Sequence, residues 1–327
     1  MWALKAGKHC FHWPNGSWVG IDGPSGCGKT SLLQHLMTTR QGELTCDGHN
    51  LLQSAPPLRG IGWAAQGAML WPNQPVERQV QAIAERHRRR AWMDLADELG
   101  VVPLLKRNTT VLSGGERQRV ALLSALLSAK HILLLDEPVS ALDKRAANEV
   151  LAAVKRAAQQ RSLTAWLVSH QWCDMAATCD YYYGWTEQTL IDIERAQQQR
   201  VNLHPEQAAA LWPVDKLDHG GQLYIAGHSI ETGPLNTETQ RVSIDAHDVS
   251  LAQHRPGPSS IANTLEVTVR GIRTVENNSA LVTLSWGDLV LYSLITKKSA
   301  SELALSVGQK VFAQFKAHAV KTPLASK

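Results

Sequence analysis

Residues 23–30 read Gly-Pro-Ser-Gly-Cys-Gly-Lys-Thr, a glycine and four residues followed by Gly-Lys-Thr, with Ser31 next. Gly23, Gly26 and Gly28 let the backbone curl so that its N–H groups, with a helix N-terminus, hold phosphate oxygens. At this spacing Lys29 reaches the β- and γ-phosphates of a nucleoside triphosphate and Thr30 ligates Mg²⁺. The whole run is a candidate nucleotide contact, Pro24, Ser25, Cys27 and Ser31 included. Residues 133–138 read Leu-Leu-Leu-Asp-Glu-Pro. Asp136 ends an apolar run, the usual exit for a carboxylate that meets Mg²⁺ through water, and Glu137 beside it is placed to polarise an attacking water. The bland alternatives are a glycine-rich turn that carries Lys-Thr by chance and a structural carboxylate pair at a strand end.

Elements must exist to position these residues. Residues 17–22 form a short apolar-rich run that ends at the glycine loop, after which Leu32, Leu33, Leu36 and Met37 recur at helical spacing. Strand, loop and helix are the context that a phosphate loop requires. Residues 132–135 are continuously apolar, as in a strand covered on both faces of a parallel sheet, and residues 165–168 repeat that pattern. Between 76 and 105 the pattern is helical and polar-rich, which predicts a helical insertion. Helical periodicity resumes over 117–127, and Leu122, Leu123, Leu126 and Leu127 make that helix apolar on more than one face. Just before it stands Leu-Ser-Gly-Gly-Glu at 112–116. There Ser113, Gly114 and Gly115 form either a second phosphate cradle or a plain helix N-cap.

The chain has 327 residues, enough for an α/β core plus a smaller unit. A net charge of +4 and one basic cluster, residues 86–90, describe a solvated helix face rather than a nucleic-acid surface. Five cysteines form no CxxC pair and one lies in the phosphate loop, which points to a reducing compartment. No apolar run approaches the ~20 residues that span a bilayer, so the chain is not expected to cross a membrane itself. After about residue 200 turn residues become frequent, including Gly220, Gly221, Gly227, Gly233 and Pro234. Beyond a Pro-Gly-Pro-Ser-Ser break at 256–260, Leu265, Val267 and Val269 alternate with polar residues, as do Val282, Leu284 and Trp286. Gly287-Asp288 is a two-residue hairpin signal, and this third predicts small β-barrel units.

The glycine loop, Leu-Ser-Gly-Gly-Glu, the Asp-Glu strand exit and Val-Ser-His at 168–170 stand in an order that resembles the ATPase subunit of an ABC transporter. The resemblance implies a P-loop α/β ATPase domain over residues 1–204, with its helical insertion at about 76–110. His170 is similar to the switch histidine that contacts the γ-phosphate, so Glu137 and His170 are the expected catalytic pair. Gln66 resembles the glutamine that senses Mg²⁺, which makes Thr30, Gln66 and Asp136 the metal set. The motif at Ser113 implies a composite site: in this family two copies meet head to tail, and one closes over ATP held by the other. Two features depart from the family pattern. Gln171 replaces an aspartate, and the segment before the glycine loop is short, which leaves Trp2 and Trp13 as the candidates for the adenine-stacking aromatic, with a core or interface place the leading reading of both.

The tail carries a second resemblance. Residues 241–251, Ser-Ile-Ala-Asn at 260–263, the run 295–303 and the run 311–317 look like the accessory domain of molybdate importer ATPases. This implies an all-β, OB-like (TOBE/Mop) region at 205–327, with its Mop-like domain at about 259–327. Ser260, Ser299 and Lys316 match its oxyanion-binding positions, while the usual arginine is Ala262 here. The alternative makes Ser260 and Ser299 turn residues and Lys316 a solvated lysine. The implied protein is the ATP- and Mg²⁺-dependent subunit of a molybdate importer on the cytoplasmic face of the membrane. It would work as a homodimer beneath permease subunits, with an external binding protein and no nucleic acid. An importer of sulfate, tungstate, iron, polyamine or sugar is the alternative.

Overall fold

Buried apolar strands set the frame of the first part of the computed structural model. It describes residues 1–6, 9–23, 26–87, 92–169, 179–186, 189–191, 201–202, 204–217, 222–233, 241–257, 259–275 and 278–321. These fall into two compact units, one within residues 1–191 and one from 201 to 321.

In the first unit β1 (Trp2–Ala6), β2 (His9–Trp13), β4 (Glu43–Cys46) and β5 (His49–Asn50) make an antiparallel sheet in the order β2-β1-β4-β5. The main sheet runs β10-β9-β3-β8-β7-β6. Its strands are β3 (Trp18–Asp22), β6 (Ile61–Ala64), β7 (Ile132–Asp136), β8 (Thr164–Val168), β9 (Tyr181–Thr186) and β10 (Thr189–Ile191). β3, β6, β7, β8 and β9 pair in parallel, and only β10 runs antiparallel at the edge. Every residue of β3, β7 and β8 is buried, which explains their unbroken apolar character. Among the described residues this unit has five α-helices: α1 (Lys29–Thr38), α2 (Val76–Arg86), α3 (Trp92–Glu98), α4 (Gly114–Ser128) and α5 (Lys144–Gln160). Trp13 meets Trp166 edge-on at 5.3 Å within a core that holds Ile21, Leu33 and Leu44.

The second unit is strand-rich, as the alternation predicts. One sheet is β11 (Ala209–Pro213), β15 (Arg241–Asp245) and β21 (Val320–Lys321); another is β12 (Lys216–Leu217), β13 (Leu223–Ile225) and β14 (His228–Ile230). The largest has the order β16-β20-β17-β18-β19, formed by Ser250–Ala252, Lys310–Phe315, Asn263–Val275, Ser279–Trp286 and Leu289–Thr296. β17 pairs with β20 through its first half and with β18 through its second, with a register shift between Val269 and Gly271. Gly287 and Asp288 join β18 to β19, and the left-handed Gly287 (φ 57) gives the tight hairpin its turn.

Candidate functional site

Parallel pairing carries the C-terminal ends of β3, β6, β7 and β8 to one edge of the main sheet, where ligands of open α/β sheets bind. The glycine loop leaves β3 there. Gly26 (φ +78) and Gly28 (φ +96) hold the left-handed conformation that folds the loop over the start of α1. A Cβ at Gly23 would stand 2.5 Å from Trp185 O, so the loop packs without room for one. Trp185 also donates through Nε1 to Cys27 O at 3.1 Å. Gly28 caps α1 with no side-chain hydrogen bond, so no capping side chain occupies the end of the helix at which first-turn amides can hold an anion. Lys29 is buried and donates to Gly23 O at 2.6 Å. Pro24, Ser25 and His170 lie outside the described residues.

A cavity of about 320 Å³ opens at this edge, lined by Gly26, Gly28, Lys29, Thr30, Ser31, Gln66, Asp136, Glu137 and Val168. Four separate stretches of sequence therefore meet in one place. Thr30, Gln66 and Asp136 supply a hydroxyl, an amide and a carboxylate, the hard oxygen donors that suit Mg²⁺ shared with a phosphate. The segment beyond Gln66 is fixed at Trp71, whose N–H donates to Gln79 Oε1 at 2.7 Å and whose carbonyl accepts from Thr109 at 2.7 Å.

Glu137 is buried in a left-handed conformation (φ 50), which costs a non-glycine residue about 1–3 kcal/mol. Its backbone is held on both sides. The N–H donates to Val168 O at 3.0 Å, and the carbonyl accepts from Ser140 Oγ at 3.1 Å and Gln118 Nε2 at 3.3 Å. Gln118 also donates to Ser140 Oγ (2.9 Å) and accepts from Ala141 N (3.0 Å). Sequence reading missed Gln118. A glutamine among the leucines of an apolar helix was the available signal, since a buried amide needs partners.

Ser113, Gly114 and Gly115 do not line that cavity. They begin α4, where Ser113 and Glu116 form a capping box: Glu116 N donates to Ser113 Oγ at 3.3 Å, and Ser113 N donates to Glu116 Oε2 at 2.8 Å. The plain N-cap is thus realised, and the Ser113 hydroxyl keeps its own proton to donate. The Ser113 backbone N–H, helped by Arg107 at 2.6 Å, holds the Glu116 carboxyl below the usual carboxylate range. A Cβ at Gly115 would lie 2.6 Å from Leu142 Cδ2, so this helix start packs against the turn that follows Glu137.

A second cavity, of about 540 Å³, shares Gly26, Gly28 and Ser31 with the first and adds Lys5, Leu32, His35 and Trp185. Trp2 and Trp13 are not on it. Both are 1% exposed, packed between the two sheets, which removes them as rings for a nucleotide base to stack on.

In the tail the three oxyanion candidates are not gathered by strand pairing. Ser260 precedes Asn263 and Lys316 follows Phe315, and Asn263 pairs with Phe315, so these two stand at one end of β17. Ser299 follows Thr296, whose partner Ser279 pairs with Val275 at the other end. Its N–H donates to Thr296 Oγ1 at 3.0 Å, which caps the short helix Lys297–Glu302.

The sequence profile of the ABC transporter family matches residues 8–140, and that of the TOBE domain matches residues 259–322. The molybdenum import ATP-binding protein ModC of Rhodobacter capsulatus is 31% identical, with 96% of this chain and 94% of the relative aligned. The ModC proteins of Brucella melitensis biotype 1 (31%; 93% and 91%) and Yersinia pestis (32%; 91% and 89%) are similar to the same degree. Among solved structures, the dimeric bacterial ABC transporter cassette MJ0796 superposes with a TM-score of 0.50 at 21% identity, over 58% of this chain and 96% of its own. An ATP-binding subunit of an ABC transporter does so with 0.50 at 18%, over 61% and 92%.

Proposed function

The chain belongs to the family of ABC transporter ATP-binding subunits that includes the molybdenum import ATP-binding proteins, and on that footing we propose that it hydrolyses ATP to drive molybdate import. One observation carries the chemistry: Lys29, Thr30, Gln66, Asp136 and Glu137 border a single cavity although the sequence scatters them. Likeness to ModC proteins along nearly the whole chain carries the cargo. In this reading residues 1–204, with the insertion at 76–110, handle nucleotide, and residues 205–327 form the accessory part.

The glycine loop and the first-turn amides of α1 hold the triphosphate, and Lys29 neutralises its outer charges. Thr30, Gln66 and Asp136 would hold Mg²⁺, which would supply charge neutralisation at the phosphates. Glu137 orients and polarises the attacking water, with His170 at the γ-phosphate. Ser113, Gly114 and Gly115 complete the site of a second copy in a head-to-tail dimer, which fits their place outside their own chain's cavity. The dimer sits on the cytoplasmic face against permease subunits served by an external binding protein. Among the described residues no helix is long and apolar enough to cross a membrane.

Glu137→Gln tests the chemistry: ATP binding stays within about twofold while turnover falls about a hundredfold or more, the usual worth of a positioned base. Wild-type turnover would remove Glu137 from the role. Cargo is tested in cells that lack the gene, by uptake of labelled molybdate restored by the wild-type chain and not by Glu137→Gln. Unchanged molybdate uptake without the gene would overturn the cargo.

A further inference from the structure

The two helices whose N-termini carry the phosphate motifs end in the same way. At the end of α1, Thr39 N donates to His35 O, and the Arg59 guanidinium donates to Leu36 O (2.7 Å) and to Thr39 O. At the end of α4, Ala129 N donates to Ala125 O, and Arg161 donates to Leu126 O (2.6 Å) and to Ala129 O. The positions are equivalent: the capping residue and the residue three before it. Thr39 (ψ 157) and Ala129 (ψ 134) are both extended, so each chain turns away and leaves its carbonyls to the arginine. A planar guanidinium fork bonds two such carbonyls at once, and its charge opposes the negative end of the helix dipole. Arg59 is fully buried and also donates to Ser54 O and Leu52 O, both at 3.1 Å.

Each arginine adjoins an element that runs toward the site. Arg59 lies two residues before β6, and β6 leads to Gln66 on the cavity wall. Arg161 is the C-cap of α5, whose N-cap Asp143 closes the turn after Glu137. At that front end Gly115 packs on Leu142, so α4 and α5 are tied at both ends.

We propose that Arg59 and Arg161 are positioning residues that fix the rear ends of the two phosphate helices. Arg59 sets Thr30 against Gln66 in the chain's own site, and Arg161 sets Ser113 for the site that it completes in a second copy. This rests on the nucleotide reading above, and it separates two effects that a general loss of stability would not separate.

The test uses the full chain carrying Glu137→Gln, with a fluorescent ATP analogue for monomer affinity, size-exclusion chromatography for ATP-driven dimers, and thermal midpoints. Arg161→Met is expected to keep nucleotide affinity within about twofold and to weaken the dimer about tenfold, within the worth of a partly buried charge at a helix end. Arg161→Lys should recover only part of that loss, because an ammonium lacks the fork. Arg59→Lys should weaken nucleotide affinity itself about tenfold; if it does not fold, the Arg161 pair decides. Val154→Ala, a cavity in the middle of α5, serves as a destabilised control. Normal dimers from Arg161→Met, or the same split in Val154→Ala, would overturn the proposal. A Glu137→Gln parent that neither binds ATP nor dimerises would instead refute the nucleotide reading, and this proposal with it.

Discussion

Replacing Gln118 by leucine removes three hydrogen bonds while nearly conserving volume. Those to Ser140 Oγ (2.9 Å) and Ala141 N (3.0 Å) have good geometry, and the one to Glu137 O (3.3 Å) is long. At about 1 kcal/mol net for each good bond and less for the long one, the loss is about 2–3 kcal/mol, with Ala141 N left short of its acceptor. A unit of this size then melts roughly 5–10 °C lower. The functional effect should exceed the stability effect. Glu137 keeps its left-handed backbone because its surroundings over-determine it, and Gln118 is one of the groups that do so. Once released, the carboxylate shifts, and a displacement of about 1 Å costs about a hundredfold in a positioned reaction. ATP affinity should be unchanged, since the hydrogen-bond partners of Gln118 are Glu137, Ser140 and Ala141 and no described residue of the glycine loop is among them. Gln118→Glu separates the contributions, because it keeps an acceptor for Ala141 N but offers no donor to Glu137 O. Calorimetry, analogue binding and turnover at saturating ATP measure the three quantities. Turnover per folded molecule equal to wild type in Gln118→Leu would refute the idea that this amide positions Glu137.

The Glu116 carboxyl is held below its ordinary value, so its stabilising contribution is present above about pH 4.3 and is lost as pH falls through the lower folded value. The thermal-midpoint gap between wild type and Glu116→Gln should therefore close on acidification below that pH, and a gap constant down to pH 3 would show that the charge is not involved. In the tail, strand pairing separates Ser299 from Ser260 and Lys316, and Ala262 supplies no charge. Calorimetry of molybdate with the full chain should detect no tight binding, and Lys316→Ala should change nothing; tight binding lost in that variant would establish a site.

Local chemistry was readable from the residues alone. The spacing of Gly23, Gly28, Lys29 and Thr30 dictates a loop that turns onto a helix, and unbroken apolar runs dictate β7 and β8, because each depends on neighbours in the chain. Ser113, a common helix N-cap just before the apolar helical run, marked the start of α4 for the same reason. What depended on partners distant in sequence was decided by tertiary structure. Which strand ends share an edge follows from the order β3-β8-β7-β6, and that order brings Gln66 and Asp136 to Thr30. Packing between two sheets consumed Trp2 and Trp13, the core place that was already the leading reading of both over that of a stacking ring. The tail serines look alike as motifs, yet the bend of β17 and its two half-pairings send them to opposite ends. Gln118, Arg59 and Arg161 carry no motif at all, because their partners, Ser140 Oγ aside, are backbone carbonyls and amides, which every residue offers and only the fold selects.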